Sequence, residues 1–380
     1  MEKFPKIRLS LPLIDNWVLE FLALVGIVKF EKDIVRSLFY NRSLIFWDEA
    51  KKRGLDLSAI QLLGKPTHEF RLIYRGKKHY FEGTPLNIFS GQESLDDKSK
   101  TKEILLKKGI PTALGKKFTS IKQAEKFAKN LGFPLVVKPN MGSLSHHLST
   151  NINSMQALKE AISVAKSYRP DFIVEKFVAG NLYRITVVGK KYIFVCRKNL
   201  ANVIGDGFST VKELIFEKNS DPKRGEQGAL NTTLHKIPIN SATLLKLKSQ
   251  GLTFKSIPAK NQQVYLQEKF ILSTGCDVID CSAKTHPGNK RLFIELAGFF
   301  KTQLIGIDFI CEDISKSYKR QSCAVLETNS LPYLDMHQFP SSGKKFDIAK
   351  TGWDVVLGKL STSAHFKTRC HCEKRAQRVT

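Results

Sequence analysis

One stretch constrains this chain more than any other. Leu304–Cys311 is apolar throughout except for a single carboxylate, Asp308, and reads as a strand. A second strand, Ala324–Asn329, follows a polar connection without strong periodicity. Side chains at i and i+2 share one face of a strand, so Glu327 and Asn329 point the same way. If the two strands are neighbours, three hard oxygen donors converge. Mg²⁺ takes such a set, with nucleotide phosphates completing its shell. The plainer alternative is that each acid ends a strand and pairs with one of the many lysines.

The rest of the chain alternates helix and strand, with several strands joined by hairpins, which points to α+β lobes rather than one doubly wound sheet. Residues 1–95 read as a small first lobe, with a helix at Asn41–Leu55 and two strands, Phe70–Tyr74 and Lys78–Glu82, around Arg75-Gly76-Lys77. Gly91–Lys100 is a polar linker. Helices are expected at Thr101–Lys108, ending at Gly109, and at Ser120–Leu131, Ser154–Tyr168 and Asn289–Thr302. Strands are expected at Pro134–Lys138, Phe172–Glu175, Tyr183–Val188 and Tyr192–Arg197. Residues 202–260 read as rich in loops, and 361–380 as a basic, mobile tail.

Composition bounds the function. The 380 residues suffice for two or three packed lobes, and 42% hydrophobic with 25% charged is a globular balance. The net charge of +26, from 61 Lys+Arg against 35 Asp+Glu, attracts anions such as nucleotides, acidic substrates or nucleic acid. The lysines are spread along the chain, as on an ordinary solvated surface. Met1–Leu13 lacks a secretory pattern. Trp17–Val28, interrupted by Glu20, is too short to span a bilayer, so no membrane partner is expected. Seven scattered cysteines fit a reduced, cytoplasmic protein. Cys370-His371-Cys372 lacks the second ligand pair of a zinc site.

Two further segments carry chemistry. Lys138 ends the apolar strand Pro134–Lys138, where an ammonium needs an anion or an exit to solvent. The small-residue loop Asn140–His147 follows and can close over phosphates with backbone N–H groups, although it holds one glycine only. Phe172–Val178 is a strand running into a connector before Gly180, the kind of backbone that offers a donor and an acceptor to an adenine.

Taken together, these pieces resemble the ATP-grasp superfamily, and specifically the ATP-grasp module of cyanophycin synthetase, over roughly Asp96–Leu360. The glutathione synthetase half of bifunctional bacterial enzymes is similar. The likeness rests on Asn202-Val203-Ile204-Gly205-Asp206-Gly207, Ser209–Ile215, Asp221-Pro222-Lys223-Arg224-Gly225, Leu272-Ser273-Thr274-Gly275, His286-Pro287, Gly306–Ile310, and Glu327-Thr328-Asn329 through Met336-His337. It implies an ATP-grasp fold, with two α+β lobes gripping ATP (residues 96–360, hinge near 175–180) behind the small N-terminal α/β lobe. Lys98 and Lys138 would hold the ATP phosphates. Glu175 would receive the adenine amino group, and the connector Lys176, Phe177 and Val178 would meet the ring. Arg184, with Lys138 in the catalytic set, would steady phosphate or substrate. Asp308, Glu327 and Asn329 match Mg²⁺ ligands, a role Mn²⁺ can also fill. Ser273, Thr274 and Gly275 would wall the acyl acceptor.

The resemblance implies an ATP- and Mg-dependent carboxylate–amine ligase working through an acyl phosphate. The expected partners are small-molecule or peptide carboxylates and amines, anionic ones included, and such relatives often form homodimers. The chain departs from the pattern at Leu182, where the family has an acid for the ribose, and at Gln267 and Glu268, where basic residues are common. A second reading, of another class, is an altered ATP-binding protein whose basic surface holds nucleic acid or an acidic polymer.

Overall fold

The computed structural model describes residues 16–89, 95–142 and 147–376. Expectations at Met1–Leu13, in the first residues of the linker, and at Ser143–His146 lie outside the described residues. The side chains of Cys370, His371 and Cys372 lie outside them too. Contacts divide the chain into two units: residues up to 90 together with those from 347 on, and residues 91–346.

In the first unit four antiparallel strands lie in the order β1 (Val28–Glu31), β2 (Asp56–Leu62), β3 (Lys65–Tyr74) and β4 (Lys77–Glu82). The expected hairpin is β3–β4. Tyr74 pairs with Lys77, and Arg75 and Gly76 both adopt positive φ, 50° and 72°, which suits a two-residue turn between right-twisted strands. Helix Asn41–Lys52 buries Leu44, Ile45, Phe46, Trp47 and Ala50.

A helix spans Ile348–Ala376. It belongs to this first unit, so the domain boundary expected at 360 falls at 347, and residues 361–376 continue a helix where a mobile tail was expected. Packing of its first turns sets the boundary. Trp353 is fully buried, and its indole N–H donates to the Phe46 carbonyl at 2.9 Å. Gly352 lies so close to Phe46 that a Cβ there would sit 2.5 Å from the ring.

Among the described residues the second unit holds two main sheets and two pairs of short strands. The smaller has the order β5-β8-β6-β7, built from β5 (Gly115–Phe118), β6 (Leu135–Pro139), β7 (Ser149–Ile152) and β8 (Phe172–Lys176). Helices Ile121–Leu131 and Met155–Lys166 pack Ala124, Ala128, Leu158, Ala161 and Ile162 onto Leu135, Val137, Phe172 and Val174. Ser120 and Ser154 cap these helices through their hydroxyls.

The chain then forms β9 (Asn181–Val188) and β10 (Tyr192–Asn199). A lobe follows with the short strands β11 (Asn202–Ile204), β12 (Arg224–Gly225), β13 (Leu234–His235) and β14 (Gln263–Tyr265). Helices Val211–Asn219 and Ser241–Lys248 also lie in this region, where loops were expected. Helices this short are marginal alone. Burial of Val211, Leu214, Ile215 and Leu247 against Val203, Val264 and Leu266 holds them.

Strands β15 (Asp277–Asp280), β16 (Leu304–Cys311) and β17 (Cys323–Asn329) complete the larger sheet, whose order is β15-β10-β9-β16-β17. Helix Pro287–Phe299 covers one face with Leu292, Phe293, Leu296 and Ala297, against Ile185, Val187, Val195, Ile305, Ile307 and Phe309. Side chains alternate along each strand, so Arg184 and Asp308 are turned to the other face. Among the described residues no helix is long and apolar enough to cross a membrane.

Candidate active site

The larger sheet sets a row of charges by register. On antiparallel strands, directly opposed residues share a face. Arg184 on β9 opposes Asp308 on β16, and Asp308 opposes Glu327 on β17. Arg184 grips Asp308 bidentately: Nε donates to Oδ1 at 2.5 Å and Nη2 to Oδ2 at 3.1 Å. Lys198 on β10 places Nζ 4.0 Å from Asp308 Oδ1. Burial alone would raise the Asp308 pKa, but the Arg184 and Lys198 charges hold it well below the usual carboxylate range. Burial opposes the Arg184 charge too, yet Asp308 raises its pKa overall. Burial lowers the pKa of Lys198, and Asp308 opposes that shift without cancelling it.

A second charged group joins the two sheets. Glu175 on β8 is buried, with Lys138 Nζ 2.6 Å from Oε1. Lys102 Nζ lies 2.9 Å from Oε2, as an ion pair whose alignment falls short of a hydrogen bond. Burial pushes the Glu175 pKa up; Lys138 and then Lys102 pull it down and prevail. A register shift between Asp308 and Phe309 leaves Leu326 unpaired on β17. Its carbonyl accepts from Lys138 Nζ at 3.3 Å, so the bulge ties β6 to β17. Lys102 also donates to the Ala113 carbonyl.

Lys98 opens helix Lys98–Lys107, which Asp97 caps by accepting from the N–H groups of Ser99 and Lys100. Lys98 Nζ donates to the Gly142 carbonyl at 2.8 Å and lies 3.5 Å from Glu327 Oε2. Asn329 Nδ2 is 3.5 Å from Glu327 Oε1. The structure therefore brings Lys98, Lys138, Glu175, Arg184, Asp308, Glu327 and Asn329 into one region.

Asp308, Glu327 and Asn329 supply two carboxylates and an amide oxygen, a donor set that fits a hard divalent cation completed by phosphate oxygens and water. Among the described residues no group of three or more His, Cys, Asp or Glu is placed to hold a metal. The fit therefore rests on the amide and on oxygens from outside the protein.

The connector is partly committed. The Lys176 N–H donates to the Leu114 carbonyl and the Phe177 N–H to the Pro134 carbonyl. The Lys176 ammonium caps the Gly132 and Phe133 carbonyls at 3.2 and 2.7 Å. Gly180 has φ 144°, and a Cβ there would meet the Cys311 backbone at 2.8 Å, so the connector enters β9 through a position only glycine fits. Leu182, which stands where the resembled pattern has an acid, opposes Lys198 on β10 and Ile310 on β16.

Ser273 and Thr274 lie in a 3-10 turn, and Gly275, with φ 88°, abuts Ile237. No described contact joins these three residues to Arg184, Asp308 or Glu327. Their neighbour Leu272 packs on a cluster holding Cys196, Leu234, Val278 and Met336. Cys196 opposes Arg184 on β9.

Sequence reasoning missed Lys102, Lys198 and His337 as site residues. Lys102 stands four residues after Lys98, one helical turn along the same face. Lys198 ends a largely apolar strand, the signal already read at Lys138. His337 is buried between Cys196 Sγ (3.1 Å from Nδ1) and Thr186 Oγ1 (2.8 Å from Nε2). Burial, helped by the Arg184 charge, lowers its pKa to about 3, so it is a neutral support.

Known proteins are similar to this chain in sequence and in fold. The family model described as D-ala D-ala ligase C-terminus matches residues 108–207, a range holding Lys138, Glu175, Arg184 and Lys198. The glutathione biosynthesis bifunctional protein of Clostridium perfringens is 33% identical over 253 residues, 66% of this chain and 32% of that protein. Cyanophycin synthetase of a Nostoc species is 31% identical over 310 residues, 81% of this chain and 34% of that protein. The crystal structure of a bifunctional glutathione synthetase from Pasteurella multocida aligns with a TM-score of 0.65 at 26% identity, covering 85% of this chain and 44% of the other. The chain spans about a third of the length of these curated relatives. In sequence and in fold the chain is similar to these proteins, and its residues 108–207 match the ATP-grasp domain of the D-ala D-ala ligase C-terminus.

Proposed function

We propose that this chain is an ATP- and Mg²⁺-dependent ligase that joins a carboxylate to an amine through an acyl phosphate. One observation carries the reading. The row Arg184–Asp308–Glu327 on the larger sheet stands beside Lys98 and Lys138, which reach it from the helix Lys98–Lys107 and the smaller sheet. Cations from one side and oxygen donors from the other are what a metal–triphosphate needs. Lys98 and Lys138 hold phosphate oxygens, Lys176–Val178 borders the adenine, and Asp308, Glu327 and Asn329 take the cation. Bound Mg²⁺ supplies charge neutralisation at the phosphate oxygens.

A carboxylate oxygen attacks the γ-phosphorus, and the bond to the bridging oxygen breaks with its electron pair leaving on ADP. The amine then attacks the acyl carbon, inorganic phosphate leaves, and the amine loses a proton to solvent. Small-molecule or peptide substrates fit the names of the relatives. Retention of both carboxylates and both lysines weighs against an altered protein that serves only to bind nucleic acid. The test is ADP release from Mg-ATP on screening amino acids and short peptides. Substrate-dependent release is expected from at least one acid–amine pair. No release from any pair, alongside salt-sensitive RNA binding, would sink the reading.

A further inference from the structure

Among the buried lysines described in the second unit, Lys102, Lys138 and Lys198, the last stands apart. Lys102 has Glu175 at 2.9 Å, and Lys138 has Glu175 at 2.6 Å and the Leu326 carbonyl at 3.3 Å. Lys218 has Asp277 at 2.6 Å and the Asn202 carbonyl at 2.8 Å, and Lys176 has two carbonyls. Each has an anion or acceptor in hydrogen-bond range.

Lys198 has neither. The nearest partner the structure assigns its Nζ among the described residues is Asp308 Oδ1 at 4.0 Å, an oxygen already held by Arg184 Nε at 2.5 Å. The residue is 9% exposed, and Arg184, rather than Lys198, has the bidentate grip on Asp308. A mostly buried ammonium with no acceptor in hydrogen-bond range among the described residues is costly unless water or a ligand supplies one. The side chain keeps a tenth of its exposure, so an oxyanion can reach it.

Its place in the sheet suggests which oxyanion. The order β10-β9-β16-β17 sets Lys198 at one end of the charged face and Glu327 with Asn329 at the other, with Arg184 and Asp308 between. The nucleotide and its cation belong at the Asp308–Glu327 end. We propose that Lys198 receives the carboxylate that is phosphorylated, and the acyl phosphate it becomes. This rests on the ligase reading and adds a substrate-binding residue to it. Lys198 makes no bond in the reaction. It accompanies the anion while the carboxylate oxygen takes the phosphoryl group from ATP and ADP departs, and it holds the acyl phosphate until amine attack releases phosphate.

Acetyl phosphate serves as the probe, titrated by calorimetry into the full chain loaded with Mg·ADP. ATP formed by transfer of its phosphoryl group to ADP, with acetate released, is a second readout. Lys198→Met should weaken acetyl phosphate binding by about tenfold or more. It should leave Mg·ADP affinity within about twofold. Lys198→Arg should restore acetyl phosphate binding. Unchanged acetyl phosphate binding in Lys198→Met would overturn the assignment, as would loss of Mg·ADP binding, which marks a structural role. Lys198→Gln repeats the measurement should the Met variant fail to fold. A wild-type chain that binds Mg·ADP but not acetyl phosphate defeats this inference alone. A wild-type chain that binds no Mg·ADP defeats the ligase reading with it.

Discussion

Arg184 and Asp308 oppose each other on β9 and β16, and both carboxylate oxygens of Asp308 accept from the Arg184 guanidinium. Both groups are buried, so the pair is an electrostatic unit whose halves depend on each other.

Removing either half should therefore be costly. Asp308→Asn leaves a buried guanidinium without its counter-charge. A loss of about 3–5 kcal/mol in chemical denaturation is expected, together with loss of Mg-dependent turnover. An unchanged denaturation midpoint would show that solvent already screens the pair.

Glu327 behaves differently. It is a quarter exposed and faces Lys98 at 3.5 Å, a weak contact. Glu327→Gln should change stability by less than about 1 kcal/mol and abolish Mg-dependent ADP release. Activity equal to wild type would remove Glu327 from the cation set.

Glu175 counters two lysines at once. Glu175→Ala leaves both facing each other in a buried space, with an expected loss of about 3–5 kcal/mol. Lys102→Met leaves Glu175 paired with Lys138 and should cost clearly less. Equal losses in urea unfolding would contradict the shared arrangement.

His337 carries a pH signature. Its folded-state pKa of about 3 lies below the ordinary histidine value, so the unfolded chain takes up the proton first as pH falls. Its contribution is complete above the ordinary histidine range and is lost as pH drops towards about 3. Asp308 and Glu175, also lowered, lose theirs at acid pH as well. The difference isolates the histidine: His337→Gln should flatten the decline of Tm between pH 6.5 and 4, roughly the window those pKa values set. Parallel declines in the two proteins would show that His337 is not held neutral.

Local signals in the sequence were enough for several elements. Ser120 and Ser154 mark helix starts because a hydroxyl satisfies free N–H groups wherever it stands before an apolar period. Arg75-Gly76 marks the hairpin through its positive φ values. Asp308 stood out as the one carboxylate in an apolar strand, and the i, i+2 rule put Glu327 and Asn329 on one face.

Other features depend on contacts distant in sequence. β2 was not read because its burial is nearly continuous rather than alternating. The boundary at 347 depends on Trp353 meeting Phe46, some three hundred residues earlier. Lys102 and Lys198 were not picked out among 61 cationic residues, because a helical turn from Lys98 or the end of an apolar strand is a place where solvated lysines stand too. Patterning along the chain determined where several of the strands run, β16 and β17 among them, and which of their side chains share a face. Strand order and register decided that Arg184 meets Asp308 and that Lys198 is left without a close acceptor, because pairing across a sheet is set by distant segments that no local pattern encodes.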